Sequence, residues 1–199
     1  MTNLVDRPSS PRGERRRQQL VAAGIELLGE GGWPAVTTRA VAERGGANQG
    51  LIHYHFGGLP GLREAIARRA GELVIEPVVD AVLAAGSPAA ALDVLREVVP
   101  AVTADDRVVR LSVELIAGAA RDPALAELFR AGLRQARARV ADHLEQLYPD
   151  LPERDRDGAA VLLAALVDGL VLHALLDPDL PVGIALDTLG RLGASGGGE

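Results

Sequence analysis

Apolar residues recur along this chain at the spacing of helix faces, and no segment alternates with period two for long. The first stripe is Leu20, Gly24, Leu27 and Leu28 within Arg15–Gly29, and Gly31-Gly32 ends it. Trp33-Pro34 forms a connection. Thr37 and Thr38 are N-cap types ahead of Ala40, Val41 and Ala42, and Gly45-Gly46 breaks that short helix. Asn48 caps a second short helix running through Ile52 to about His55, and Gly57-Gly58 ends it. Leu59–Ala70 opens a longer helix with Leu62, Ile66 and Ala70 on one side, and Pro77 stands where it would kink or end it. Beyond, breakers separate the periodic segments Val74–Ala85, Ala89–Val99, Val108–Ala120, Ala124–Leu147, Arg154–Leu176 and about Val182–Leu192. Asp122-Pro123 starts one of them, the Asp as cap and the Pro at the first helical position. The pattern predicts an all-α fold of about nine helices: a disordered arm over 1–11, a three-helix head over 12–58, a larger helical domain over 59–192 and a flexible tail over 193–199.

Composition narrows the class. A chain of 199 residues can bury a sizeable core, and its few aromatics (3%) beside plentiful Ala, Leu and Val suit packed helices better than a sandwich or barrel. The absence of Cys excludes a disulfide framework, a thiolate metal site and a Cys nucleophile, and fits a reducing cytoplasm. The most apolar run, Ala159–Leu176, is interrupted by Asp168 and His173, and reads as an interface helix rather than a membrane span. No secretory signal is read at the N-terminus. All 21 basic residues are Arg; residues 1–69 carry 10 of them against 6 acids, and residues 70–199 carry 11 against 21 acids. A basic head on an acidic body fits a nucleic-acid reader with a separate second region, although solubility charge alone can give the same asymmetry.

Two short helices around a glycine turn make a helix-turn-helix pattern. In the second helix Ile52 and Phe56 lie at i and i+4 and are expected to pack inward. Gln49 and His53 share another face, with Leu51 and Tyr54 flanking and Gly50 permitting close approach. Gln49 and His53 suit base edges in the major groove, and Leu51 suits a thymine methyl. Thr37, Thr38, Arg39, Tyr54 and His55 offer donors suited to phosphates, which set position and not sequence preference. With Asn48 these residues form the candidate DNA-binding set.

The stretch from Thr37 to Phe56 resembles the DNA-binding signature of tetracycline-repressor-type (TetR) regulators, and the specific resemblance covers about residues 12–70. The chain departs from the pattern at three places. Asn48 stands where Ser is frequent, and His53 stands where an aromatic is frequent. The opening of the fourth helix, Gly57-Gly58-Leu59-Pro60-Gly61-Leu62, lacks the usual Lys that reaches a phosphate. Arg63 is one candidate to replace it; greater reliance on Arg15, Arg16, Arg17 and Arg39 is the other.

The resemblance implies a cytoplasmic, homodimeric repressor. Its partners would be a double-stranded palindromic operator, a second copy of itself and an unidentified apolar or amphipathic small molecule that releases it, with no cofactor, metal or membrane. Ala124–Leu147 and Arg154–Leu176 would form a four-helix bundle between copies, with Leu162, Ala165, Leu166, Gly169, Leu172 and His173 at the seam. The ligand cavity is expected among Val74–Ala120 and the helices behind it; its lining residues are not read from the sequence. A ligand-independent DNA-binding protein is the alternative, and an α-helical enzyme using Asp168 or His173 is disfavoured because no catalytic or metal-ligand constellation accompanies them. Asp168 and His173 are expected as satisfied groups at a helix interface, Trp33 as a core plug, and Glu114 at the surface. His53-x-His55 is not expected to bind one metal ion, since i and i+2 point about 200° apart on a helix.

Overall fold

The computed structural model describes residues 10–177 and 179–195; most of the expected arm (1–9) and of the tail (196–199) lies outside the described residues. Among the described residues the chain forms nine helices: α1 (Pro11–Ala35), α2 (Thr38–Arg44), α3 (Gln49–Phe56), α4 (Leu59–Leu83), α5 (Pro88–Ala104), α6 (Asp106–Arg121), α7 (Pro123–Leu147), α8 (Glu153–Leu176) and α9 (Val182–Ser195).

Most boundaries follow from caps. Ser10 Oγ accepts from Gly13 N at 3.2 Å and Pro11 takes the first helical position, so α1 begins four residues before the expected Arg15. The same device, Ser87 Oγ with Ala90 N at 3.2 Å ahead of Pro88, starts α5. Asp122 Oδ1 accepts from Ala124 N at 2.9 Å where α7 begins. Two expected breaks are softer than the sequence implied. At Gly32 (φ 67°, ψ −171°) α1 kinks and then adds a last turn. Pro77 lies inside α4 without ending it. Leu73, Glu76 and Pro77 are all exposed, so water can take the carbonyl that proline leaves without an N–H partner.

The chain divides into two compact units. One comprises the residues up to Ala70 together with Glu114–Leu128; the other comprises Gly71–Val113 and Phe129 onward. In the first, Leu20, Leu28, Val36, Val41, Ile52, Leu62 and Ile66 are fully buried around α1–α4. In the second, the buried cluster is Val82, Leu95, Val99, Val182 and Leu186, with half-buried Leu163, Leu166, Val167 and Leu170 of α8 against it. Three ion pairs of this unit join different helices: Arg139 to Asp80 at 2.5 Å, Arg96 to Asp187 at 2.8 Å and Arg156 to Glu145 at 3.1 Å. The half-buried His143 donates from Nε2 to Ala85 O at 3.0 Å. Among the described residues, one helix, α8, is long and apolar enough to cross a membrane by length and composition.

Candidate nucleic-acid interface

Helix α3 is held from three sides. Thr37 Oγ1 caps α2 by accepting from Ala40 N at 3.1 Å, and Asn48 Oδ1 caps α3 by accepting from Leu51 N at 3.1 Å. Between them the chain turns through Gly46 at φ 59°, a left-handed conformation that costs a side-chain-bearing residue about 1 kcal/mol or more. Arg16 of α1 clamps this turn: its Nη1 donates to Gly45 O and its Nη2 to Gly46 O, each at 3.1 Å. Arg44, at the end of α2, donates to both Glu30 carboxylate oxygens at 2.8 Å and to Glu26 at 3.3 Å. These bonds raise the Arg44 pKa, and the hydrogen bond from Arg44 lowers that of Glu30. Ile52 anchors α3 with no exposed surface, and Phe56 is half-buried with the Arg17 guanidinium 5.2 Å from its ring centroid.

With Ile52 inward, Gln49, Gly50, His53 and Tyr54 form one exposed arc of α3, and Tyr54 is 80% exposed. Leu51 and His55 flank it half-buried. Thr37, Arg39 and Asn48 are exposed and Thr38 is half-buried. Although the Thr37 and Asn48 oxygens are engaged as caps, the Thr37 hydroxyl proton and the Asn48 amide N–H groups remain available to donate. The structure therefore gathers the expected DNA-binding residues around α2 and α3, with Leu51 and His55 at the margin.

Several arginines have structural work that the sequence did not disclose. Arg63 does not replace the missing Lys: it is half-buried, and its Nη2 donates to Trp33 O at 3.4 Å and Val36 O at 3.5 Å. Arg16 and Arg17 are committed to the turn and to Phe56 as described, whereas Arg15 and Arg39 are exposed and make no hydrogen bond or ion pair among the described residues. Glu114, expected at the surface, is half-buried. Its Oε2 accepts from Trp33 N at 3.1 Å and its backbone carbonyl accepts from Trp33 Nε1 at 2.7 Å. A Cβ on Gly118 would sit 2.4 Å from Trp33 Nε1, so the indole lies flush on α6. Trp33 is thus a half-buried, hydrogen-bonded dock between α1 and α6 rather than a plug wholly inside the core. An isolated Glu in an amphipathic helix carries no local signal of a partner 81 positions away.

In the second unit, Leu162, Ala165, Leu172 and His173 of α8 are exposed, and Leu166 and Gly169 are half-buried. The other exposed large apolar residues of α8 and α9 are Val161, Leu176, Ile184, Leu189 and Leu192. The exposed positions of α7 between Arg130 and Gln146 are mostly polar, including Arg134, Gln135, Asp142 and Glu145. One cavity lies among α4, α7 and α8, and a second among Leu73, Val74 and Pro77 of α4, Val98, Ala101 and Val102 of α5, Asp105 and Val108. Among the described residues no group of three or more His, Asp or Glu is placed to hold a metal ion.

Comparison with known proteins agrees with this geometry. Residues 20–66 match the bacterial regulatory proteins of the tetR family, and residues 88–192 match the C-terminal region of BetI-type transcriptional repressors. The HTH-type transcriptional regulator BetI of Burkholderia mallei is 30% identical over 184 residues, covering 90% of this chain and 89% of that protein. Among solved structures, a transcriptional regulator of Streptomyces coelicolor A3(2) is 29% identical with a TM-score of 0.74, covering 89% of this chain and 97% of that one. The multidrug binding protein EbrR complexed with proflavin is 28% identical with a TM-score of 0.66, covering 89% of this chain and 99% of that one. The chain therefore belongs to the tetR family of bacterial regulatory proteins, of the BetI type, and is a helix-turn-helix DNA-binding transcriptional regulator rather than an enzyme.

Proposed function

We propose that this regulator is a cytoplasmic homodimeric repressor that binds a palindromic operator through two copies of α3 and is released when a small molecule enters its second unit. The observation that carries the reading is the exposed arc Gln49, Gly50, His53 and Tyr54, backed by fully buried Ile52. That arc presents hydrogen-bonding side chains on a helix narrow enough for the major groove. Gln49, His53 and the flanking Leu51 read base edges; Thr37, Thr38, Arg39, Tyr54 and His55 hold phosphates. A dimer places two reading helices about one DNA turn apart, ~34–36 Å, or a multiple of it.

The exposed apolar stripe of α8 supports the second copy. Leu162 is 73% exposed and Leu176 is 76% exposed, and α9 adds Ile184 and Leu192 at 66% and 67%. Leu162, Leu172 and Leu176 lie on one helical face of α8, and an exposed apolar face of this kind marks an interface. The polar exposed face of α7 shifts the proposed bundle from α7 with α8 to α8 with α9, and keeps Leu162, Ala165, Leu166, Gly169, Leu172 and His173 at its seam.

A gel-shift titration of the full chain on a palindrome from its own promoter region, at moderate salt, tests the DNA reading. A preference over scrambled DNA of at least ~10³-fold is expected; equal affinity for both sinks it. His53→Ala should alter sequence preference more than salt dependence, and Arg39→Ala the reverse. Sedimentation of Leu162→Glu should give monomer with unchanged helicity; a persistent dimer overturns the proposed seam.

A further inference from the structure

The cavity among α4, α7 and α8 has a volume of about 100 Å³ and is walled by aliphatic side chains, including Val74 and Val78 of α4, Leu133 and Val140 of α7, and Leu163 and Val167 of α8. None of its lining residues is aromatic, and only two are charged, Arg137 of α7 and Asp168 of α8. Among the described residues these two make no hydrogen bond or close ion pair with each other or with any neighbour, although the Arg137 charge is felt at Asp168. Apolar crowding raises the Asp168 carboxyl pKa above the ordinary carboxylate range, and the pull of Arg137 in the other direction does not cancel it. The site thus offers an apolar wall, one acceptor and one donor of opposite charge, and no mutual neutralisation.

Charge and shape restrict what fits. A permanent cation gains at Asp168 and is opposed at Arg137; a permanent anion meets the reverse. A quaternary ammonium is further disfavoured because such groups are held by aromatic faces, which this wall lacks. A head group that donates to a carboxylate and accepts from a guanidinium satisfies both residues through charge-assisted bonds, the stronger kind. We infer that this cavity takes an uncharged amphipathic molecule, an aliphatic body bearing one alcohol or amide head held between Asp168 and Arg137.

The inference rests on the reading of the second unit as a ligand sensor, and its test separates binding from DNA release. Three probes carry eight-carbon chains, counting the carbonyl carbon, and differ in the head: octanamide, octanoate and octyltrimethylammonium. Calorimetric titration of the full chain without DNA should show octanamide binding about tenfold or more tighter than either ion. Asp168→Ala and Arg137→Met should each weaken it by about tenfold, since each removes one charge-assisted bond. Ala164→Leu, which fills the cavity from the α8 wall, should weaken all three probes; should that variant fail to fold, the two charge variants at the cavity carry the test. Tightest binding by octyltrimethylammonium or by octanoate overturns the inference, as does octanamide affinity unchanged in a folded Ala164→Leu protein or the absence of saturable octanamide binding. Variant-sensitive octanamide binding that leaves operator affinity intact upholds the cavity assignment and overturns the release mechanism instead.

Discussion

In the unit that carries α3, five large side chains, Leu20, Leu28, Ile52, Leu62 and Ile66, are fully buried, and Arg16, Arg17, Arg44 and Arg63 are tied to carbonyls, carboxylates or a ring. The other unit has a smaller fully buried set, Leu95, Val99, Leu111 and Leu186 at 1% or less, more half-buried aliphatics, cavities along α4, and apolar side chains left open on α8 and α9. A filled core has one arrangement and holds the surface of α3 still. An incompletely filled unit has surface and volume to give to a second copy or a ligand, and either would add to its stability by mass action. The same chain thus separates a part that must not move from a part whose packing can be completed from outside.

The largest expected break of this contrast is Ile52→Ala, which should lower stability by about 2–5 kcal/mol in chemical denaturation, because the cavity opens in a core that cannot collapse. Leu162→Ala in the open stripe should change stability by less than about 0.5 kcal/mol at concentrations where the chain is monomeric. Equal effects would show that the two units are packed alike. Next, Trp33→Phe should cost about 1–2 kcal/mol, since it removes the donor to Glu114 O while keeping most of the apolar area; an unchanged melting temperature would show that the dock on α6 contributes nothing. Arg63→Met should lower stability by about 1 kcal/mol and leave the salt dependence of DNA binding intact, whereas Arg39→Met should reduce the salt slope by about 1 with no loss of stability. If both act on the slope, the missing fourth-helix cation has been replaced after all.

The smallest effect concerns Asp168. Its raised pKa means that the folded chain takes up a proton more readily than the unfolded one. The carboxylate form therefore works against folding, and this cost appears as pH rises from the ordinary carboxylate value toward the folded one. Asp168→Asn should raise the melting temperature at neutral pH and leave it nearly unchanged at about pH 3, where both states are protonated. A gain of equal size at both pH values would assign the effect to packing rather than charge.

Helix number, the glycine turn and the caps Thr37, Asn48 and Asp122 were legible because each is a local signal: an apolar period, a residue with no Cβ, or a side-chain oxygen three residues or fewer from the N–H it satisfies. The inward and outward faces of α3 followed from the same short-range geometry. What was misread depended on partners far along the chain. Arg63 looked like a surface cation because nothing within α4 shows that two carbonyls, 27 and 30 positions back, lie within its reach. Arg16 looked like a phosphate contact for the same reason. The pairing of α7 with α8 at the seam came from the resemblance; helical amphipathicity shows that a helix has an apolar face but not whether another helix of the same chain already covers it.

By itself, then, the sequence determined the helices, the turn that sets α3 at its angle, and the side chains that α3 turns outward, since these depend on φ/ψ preference, capping and period. Only the tertiary structure decided which charges are spent inside the head, which apolar face stays open, and that Arg137 and Asp168 line one cavity without meeting. Those outcomes depend on the docking of segments tens of residues apart, where burial and hydrogen-bond satisfaction are settled between helices and not within them.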